Sequence, residues 1–353
     1  MSKSRLGSVA LVAALAVAVG VLAGTAGARA KASANIYAAS SLVTNANDPS
    51  LVNGWGLVAG PTTPWWTSNN GTDTATVYTG AGAKAPLTVS VPGGPTGIVF
   101  NGNASDFVVS QNGKSGAARF LFATESGMLL GWSQGVNGTL ALPTVDRSAQ
   151  KAVYKGLATV NDRLYATDFH NGRVDVFDAA FKPVAAPFKD ARIPKGYAPF
   201  GIQAIGGNIF VTYAKQDAQR KDDVPGGGAG YVDEFTPDGK LIARVASGGR
   251  RNAPPNAPWG LALAPSSFGV FAGDVLVGNF GNGRISAYQD RGNGHWVDRG
   301  QLRLGDGTLL AVDGLWGIAF GNGNAAGSSD SLYYAAGPAG ESHGAFGSIT
   351  LGS

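Results

Sequence analysis

Six glycines, each opening a short apolar run, recur along the chain: Gly56-Leu57-Val58, Gly97-Ile98-Val99, Gly156-Leu157-Ala158, Gly201-Ile202-Gln203, Gly260-Leu261-Ala262 and Gly317-Ile318-Ala319. After each opening come a second and a third apolar strand pattern, so one β phrase is written six times. A unit of this size cannot bury its own faces and must stack on its neighbours. The repeat predicts an all-β chain folded as a six-bladed β-propeller.

The phrase is clearest in its fifth copy. Pro258-Trp259-Gly260 leads into Leu261-Ala262-Leu263, a strand follows at 274–280, and a Gly281-Asn282-Gly283 turn leads into 284–288. The third copy runs 163–169, turns through Asn171-Gly172 and continues over 173–177. Asn-Gly between alternating apolar runs is a strong hairpin signal. The opening glycines lie 41, 59, 45, 59 and 57 residues apart, so some connecting loops are long. Glycine weakens a strand and is kept where another backbone approaches closely. The six openings are therefore expected to line the central channel, where the blades converge. The sixth copy ends at Leu351, while Ile36 to Val43 has strand character and no blade of its own. The ring is expected to close by placing this N-terminal strand as the outer strand of the last blade, which protects the edges.

Residues 1–30 read as a secretory leader, with Lys3 and Arg5 ahead of an apolar run from Val9 to Gly24 and a small-x-small site at Ala28-Arg29-Ala30. That run is 16 residues, shorter than the roughly 20 of a spanning helix. The rest, 31–353, is expected to form a single propeller domain, monomeric, exported and either periplasmic or extracellular, with no membrane span after cleavage. The formal charge of +4 includes Lys3, Arg5 and Arg29, and no acid precedes residue 31, so the mature chain is close to neutral at +1. No basic run is present, which excludes a nucleic-acid-binding face. There is no cysteine, so disulfides, thiolate nucleophiles and cysteine metal sites are absent.

Candidate chemistry follows from topology. Loops leading into each first strand and turns leaving each second strand share one face of a propeller. That face collects Asn53, Trp55, Asn69 with Asn70, Asp168, His170, Lys215, Asp217, Asn279, Asp313 and Trp316. The oxygens of Asn53, Asp168, Asn279 and Asp313 are candidate ligands for Ca²⁺, a hard ion that takes oxygen donors. The same residue types are turn formers that bond their own backbone, and tryptophans at blade openings also serve inter-blade packing. His170 and His343 fall on this face and His295 on the other, which excludes a three-histidine metal site. Gly131-Trp132-Ser133-Gln134-Gly135 matches G-x-S-x-G but lacks the strand-to-helix turn of a nucleophile elbow. The 215–230 segment, with three basic and three acidic residues before a glycine stretch, replaces a short turn on the candidate face. Long loops in compact domains are often functional or disordered, and this one reads equally as a lid over the channel mouth and as a mobile surface loop.

Several phrases carry a resemblance. They are Leu51-Val52-Asn53-Gly54-Trp55-Gly56-Leu57, Tyr213-Ala214-Lys215-Gln216-Asp217 followed by Asp223-Val224, Val277-Gly278-Asn279-Phe280-Gly281 with Gly283-Arg284-Ile285, and Asp313-Gly314-Leu315-Trp316-Gly317. Together they resemble an exported bacterial propeller family of uncharacterised function, some members of which carry a PEP-CTERM sorting tail. The resemblance spans roughly 38–351 and implies export and an NHL-like ring, with no established activity. The sequence ends at Ser353 without a Pro-Glu-Pro motif. More distantly, the ring is similar to calcium-dependent lactonases. Two functions are expected: a non-catalytic module binding a small molecule, polysaccharide or protein, or a metal-assisted, Ca²⁺-type hydrolase or lactonase at the channel mouth.

Overall fold

A computed structural model describes Met1 and residues 34–251 and 253–352. The expected leader at 1–30 lies outside the described residues, apart from Met1. Six four-stranded antiparallel sheets are arranged as a β-propeller. Their innermost strands are Gly54–Val58, Pro95–Phe100, Tyr154–Val160, Tyr197–Ile205, Pro258–Leu263 and Leu315–Phe320, for blades 1 to 6. The sixth blade is completed by Tyr37–Thr44, which pairs antiparallel with Ala345–Leu351 from Tyr37↔Leu351 to Thr44↔Ala345. The ring is thus closed by the N-terminal strand, as the sequence predicts.

All six inner strands carry the same irregularity. In blade 1, Gly54 pairs with Asn69 but Leu57 pairs with Thr67, so three inner-strand steps face two on the neighbour. Blades 2 to 6 repeat this at Pro95/Ile98, Tyr154/Leu157, Pro199/Ile202, Pro258/Leu261 and Leu315/Ile318. Such a bulge bends a strand and re-aims one side chain. Here it contains the opening glycine and the residue before it. Threonines on the middle strands satisfy the displaced amides. Thr167 accepts from Gly156 N at 2.7 Å and donates to Phe200 O of the next blade at 2.6 Å. Thr212 accepts from Gly201 N at 2.7 Å and donates to Pro258 O at 2.5 Å.

The glycines form a collar. A side chain at Gly56 would collide with Thr96 O, at Gly97 with Leu157 N, at Gly201 with Trp259 O. A Cβ at Gly156 would lie 2.8 Å from Phe200 O, at Gly260 2.5 Å from Trp316 O, and at Gly317 2.9 Å from Trp55 O. Each blade therefore abuts the backbone of the next, and the sixth returns to the first. Six apolar clusters fill the spaces between successive blades, including the one between blades 6 and 1. Tyr37 joins the cluster of blades 5 and 6, donating its hydroxyl to Phe268 O at 3.0 Å and packing 4.8 Å from the Phe268 ring.

Two elements were not expected from the sequence. Each of blades 1 to 5 has a fourth, outer strand, as short as Pro183–Val184 in blade 3. Blade 2 carries an extra hairpin, Val108–Gln111 with Lys114–Ala117. Ser133 follows the strand Met128–Trp132 and sits in a turn, where its carbonyl accepts from Val136 N and Asn137 N.

Gly201→Ala is expected to destabilise the protein by about 1–3 kcal/mol, the cost of forcing atoms into a filled space. Gly135→Ala, where an added Cβ meets nothing within 4 Å, stays within about 0.5 kcal/mol of wild type. Thermal melts of the two variants check this. Equal melting temperatures would contradict the collar.

Candidate functional site

The bulge aims the residue before each collar glycine toward the axis. These six residues are Trp55, Thr96, Lys155, Phe200, Trp259 and Trp316. Three tryptophans and Phe200 form an apolar plug with Phe169 and Phe280. Trp316 stacks on Trp55 at 3.9 Å between centroids and on Phe280 at 3.8 Å, while Trp259 meets it edge-on at 5.9 Å. Such aromatic pairs stabilise beyond their area burial.

One member of this ring is charged. Lys155 is 1% exposed, and its Nζ donates to Glu125 Oε1 at 2.5 Å and to Asp222 Oδ1 at 3.1 Å. Its ammonium also lies 4.8 Å from the centre of the Trp55 ring, a cation–π contact. Glu125 comes from the turn after the second strand of blade 2, and Asp222 from the loop of blade 4. The chain of contacts continues around the mouth. Asn70 Nδ2 donates to Glu125 Oε2 at 3.1 Å, Asn53 Nδ2 to Asn70 Oδ1 at 3.3 Å and to Glu341 Oε2 at 2.6 Å. The Trp316 indole donates to Asn53 Oδ1 at 2.9 Å, joining the polar rim to the plug. Asn53 and Glu341 both hold left-handed backbone, with φ of 48° and 67°. Non-glycine residues in this region carry strain that clusters at functional sites.

The protonation states are pushed apart. Burial disfavours the Lys155 ammonium, but Glu125 and Asp222 hold its pKa above the ordinary lysine value. Burial likewise disfavours the Glu125 carboxylate, yet Lys155 and Asn70 keep its pKa below the usual range. Burial pushes Asp223 up to about 7, with Lys155 pulling the other way and Glu341 and Asp222 adding to the rise. Burial also raises Glu341, against Asn53 and Lys155. Asp223 Oδ2 is buried with no partner among the described residues, as are the indole nitrogens of Trp55 and Trp259.

The long loop of blade 4 is tied over this mouth. Gln216 Nε2 donates to Phe169 O of blade 3 at 2.6 Å, Gln216 bridges Asp223, and Gly226 N donates to Asn256 Oδ1 at 2.6 Å ahead of blade 5. Lys215 ends the strand Asn208–Lys215 with its side chain exposed, and Asp217 accepts from Lys221 N at 2.8 Å within the loop.

Of the residues singled out from the sequence, Asn53, Asn70, Trp55 and Trp316 enter the mouth. Lys215 and Asp217 belong to the loop, and the rest serve their own turns. Asn69 is buried and bonds Thr67, Thr74 and Thr76. Asp168 accepts from Val153 N and from Asn171, and burial raises its pKa against those bonds. Asn279 Oδ1 accepts from Asn256 N at 2.9 Å, and Asp313 Oδ2 from Ala339 N at 2.9 Å. His170 is half-buried beside these turns. Each of the four candidate Ca²⁺ ligands thus has at least one oxygen engaged by a donor of the protein, Asn53 by the Trp316 indole. Among the described residues, no group of three or more His, Asp or Glu side chains is arranged to hold a metal ion.

Sequence reading missed Lys155, Glu125, Asp222, Asp223 and Glu341. A signal for Lys155 was present. It holds the position before the collar glycine that Trp, Thr or Phe holds in the other five repeats, and so is the single charge in that ring.

No family model matches the sequence. Three uncharacterised proteins of Acanthamoeba polyphaga mimivirus are relatives. L690 is 33% identical over 300 residues, covering 79% of this chain and 77% of that protein. The chain belongs to the family of these proteins. R648 is 31% identical over 286 residues, covering 77% of this chain and 69% of its own length. R640 is 33% identical over 230 residues, and the matched stretch spans only 42% of its length. Solved structures share the architecture at low identity. A streptogramin B lyase superposes with a TM-score of 0.55 at 11% identity, covering 90% of this chain and 98% of that one. A glucose dehydrogenase does so at 0.55 and 14%, covering 90% and 99%. A protein of unknown function from Bacteroides thetaiotaomicron gives 0.55 at 10%, covering 90% and 73%. These likenesses show the fold alone, a β-propeller. Among the described residues, no helix is long and apolar enough to cross a membrane.

The raised pKa of Asp223 has a thermodynamic sign. Between about pH 4 and 7 the folded chain keeps a proton that the unfolded chain has released, so this contribution to stability falls as pH rises through that window. Asp223→Asn is expected to melt above wild type, by a margin that is larger at pH 8 than at pH 5. A difference independent of pH would contradict the burial of an acid at this position.

Proposed function

We propose that this protein is a binding propeller whose ligand seats at the charged channel mouth beneath the blade 4 loop. The observation that supports this reading is Lys155: an ammonium withdrawn from water beside an aromatic plug and joined to carboxylates from two other blades. A buried ion pair is weak evidence for stability, because its desolvation offsets its attraction. Its place on the axis, with a loop drawn over it, fits recognition. Four carboxylates, of Glu125, Asp222, Asp223 and Glu341, surround this one ammonium, so the mouth is rich in acceptors. The ligand class that complements it supplies hydrogen-bond donors and a face for aromatic contact, as a hydroxyl-rich small molecule or polysaccharide does.

A second reading is favoured by the unequal carboxyls. An ionised Glu125 and an Asp223 whose pKa is pushed up to about 7, both acting on Lys155, form the kind of unequal carboxyl pair that acid–base chemistry uses. It suits hydrolysis of a lactone or ester at the same mouth. We place the mature protein outside the cytoplasm as an NHL-like monomer, after cleavage near Ala30. N-terminal sequencing of the secreted protein tests this placement.

Titration calorimetry with neutral oligosaccharides is expected to give saturable binding that Glu341→Gln weakens by about tenfold, or about 1.4 kcal/mol. No heat with any saccharide, together with lactone hydrolysis that falls by about 100-fold or more in Asp223→Asn, would replace the binding reading with the catalytic one.

A further inference from the structure

The inner strands run from the charged mouth, through the collar, to a second opening on the opposite face. There their far ends enclose a cavity of about 440 Å³. At the collar the axis holds a space of about 30 Å³ lined by Gly56, Gly97, Gly260 and Gly317 with aliphatic neighbours, Gln203 and Trp259 of the plug. The collar and the aromatic plug thus stand between this cavity and Lys155, and the two ends are separate sites.

The lining side chains are mainly apolar, Leu57, Ile98, Ile205, Leu261, Ile318 and Phe320 among them, with polar groups exposed between them in comparable measure. No charged side chain lines the cavity. Among the lining side chains, Asn322 is already engaged, donating to Gly60 O at 2.7 Å and Thr63 O at 2.9 Å. Gln203 is exposed at the end of the collar and makes no side-chain hydrogen bond among the described residues. In the other repeats its position is held by Val58, Val99, Ala158, Ala262 and Ala319. One amide thus stands alone in an aliphatic ring. Leu263 at the rim is 50% exposed, one of the few large apolar side chains left so open.

We propose that this axial cavity binds a neutral, mainly apolar small molecule that carries one hydrogen-bonding group for Gln203. The volume lies within the range of small-molecule pockets, which are mostly apolar with few placed polar groups. Water over the apolar side chains gains no hydrogen bond from them, and displacing it there is favourable. An ionised ligand would lose its hydration without a counter-charge, so the site selects against one. The site is independent of the charged mouth, and its failure would leave the reading of the mouth untouched.

Fluorescence titration with the neutral probe N-phenyl-1-naphthylamine tests it. One saturable site is expected, with the anionic 8-anilinonaphthalene-1-sulfonate binding at least about tenfold more weakly. Leu263→Arg puts a charge on a rim residue that is half exposed, so folding is preserved, and is expected to weaken the neutral probe by about tenfold or more. Ile242→Arg, at a site 41% exposed on the outer strand of blade 4, is expected to leave it unchanged. Non-saturable binding, tighter binding of the sulfonate, or equal effects of the two arginine variants would overturn the proposal.

Discussion

Six strands can meet around one axis only if none of them holds a side chain against the next. The collar glycines meet that condition, and the bulge at each of them bends the strand so that the approach is backbone to backbone. Everything at the centre of the molecule follows. The bulge turns the preceding residue inward, so whatever residue stands there becomes part of a ring. Five of the six are uncharged and close the channel. The sixth is Lys155.

Placing an ammonium in that ring has consequences for its surroundings. Its charge needs partners within bonding distance, and these come from blades 2 and 4, on either side of its own blade. Glu125 then holds Asn70, which holds Asn53, which meets Glu341 and the Trp316 indole. A single buried cation thus organises a polar rim that links four blades and a loop. Comparable charge clusters elsewhere have local roles. Arg244 with Asp190 and Asp233 pins the outer part of blade 4, and Lys84 with Asp48 and Tyr78 ties the segment after the closing strand to blade 1. Among the described residues, only the Lys155 cluster sits on the axis beneath a loop.

The architecture was legible because its determinants are local and repeated. The collar glycines and hairpin turns recur as short phrases, and the strand at Tyr37–Thr44 had no other place to pair. Outer strands such as Pro183–Val184 were not, since a two-residue edge has no period to detect. The blade 2 hairpin turns at Asn112-Gly113, with φ of 52° and 78°. That Asn-Gly signal lay in the chain, but it belongs to no repeat. The site was legible only in part. Asn53, Trp55 and Trp316 stand next to the repeat phrase, and Lys155 shows itself when the six phrases are aligned. Glu125 and Glu341 are far apart in sequence and sit in ordinary turns, so only ring closure brings them near one another. The 215–230 loop mixes three acids and three bases, and nothing local tells which of them faces inward.

The account holds that the Lys155 cluster exists for recognition and not to hold the blades together. The thermal stability of a Lys155→Met/Glu125→Gln double variant tests that claim most directly. If the collar and the aromatic plug carry the fold, replacing the buried pair by uncharged groups of similar size leaves the melting temperature unchanged or raises it, as seen when buried ion pairs give way to apolar packing. A loss of about 3–5 kcal/mol, the scale of a broken structural pair, would contradict it and return the cluster to the role of a structural pin.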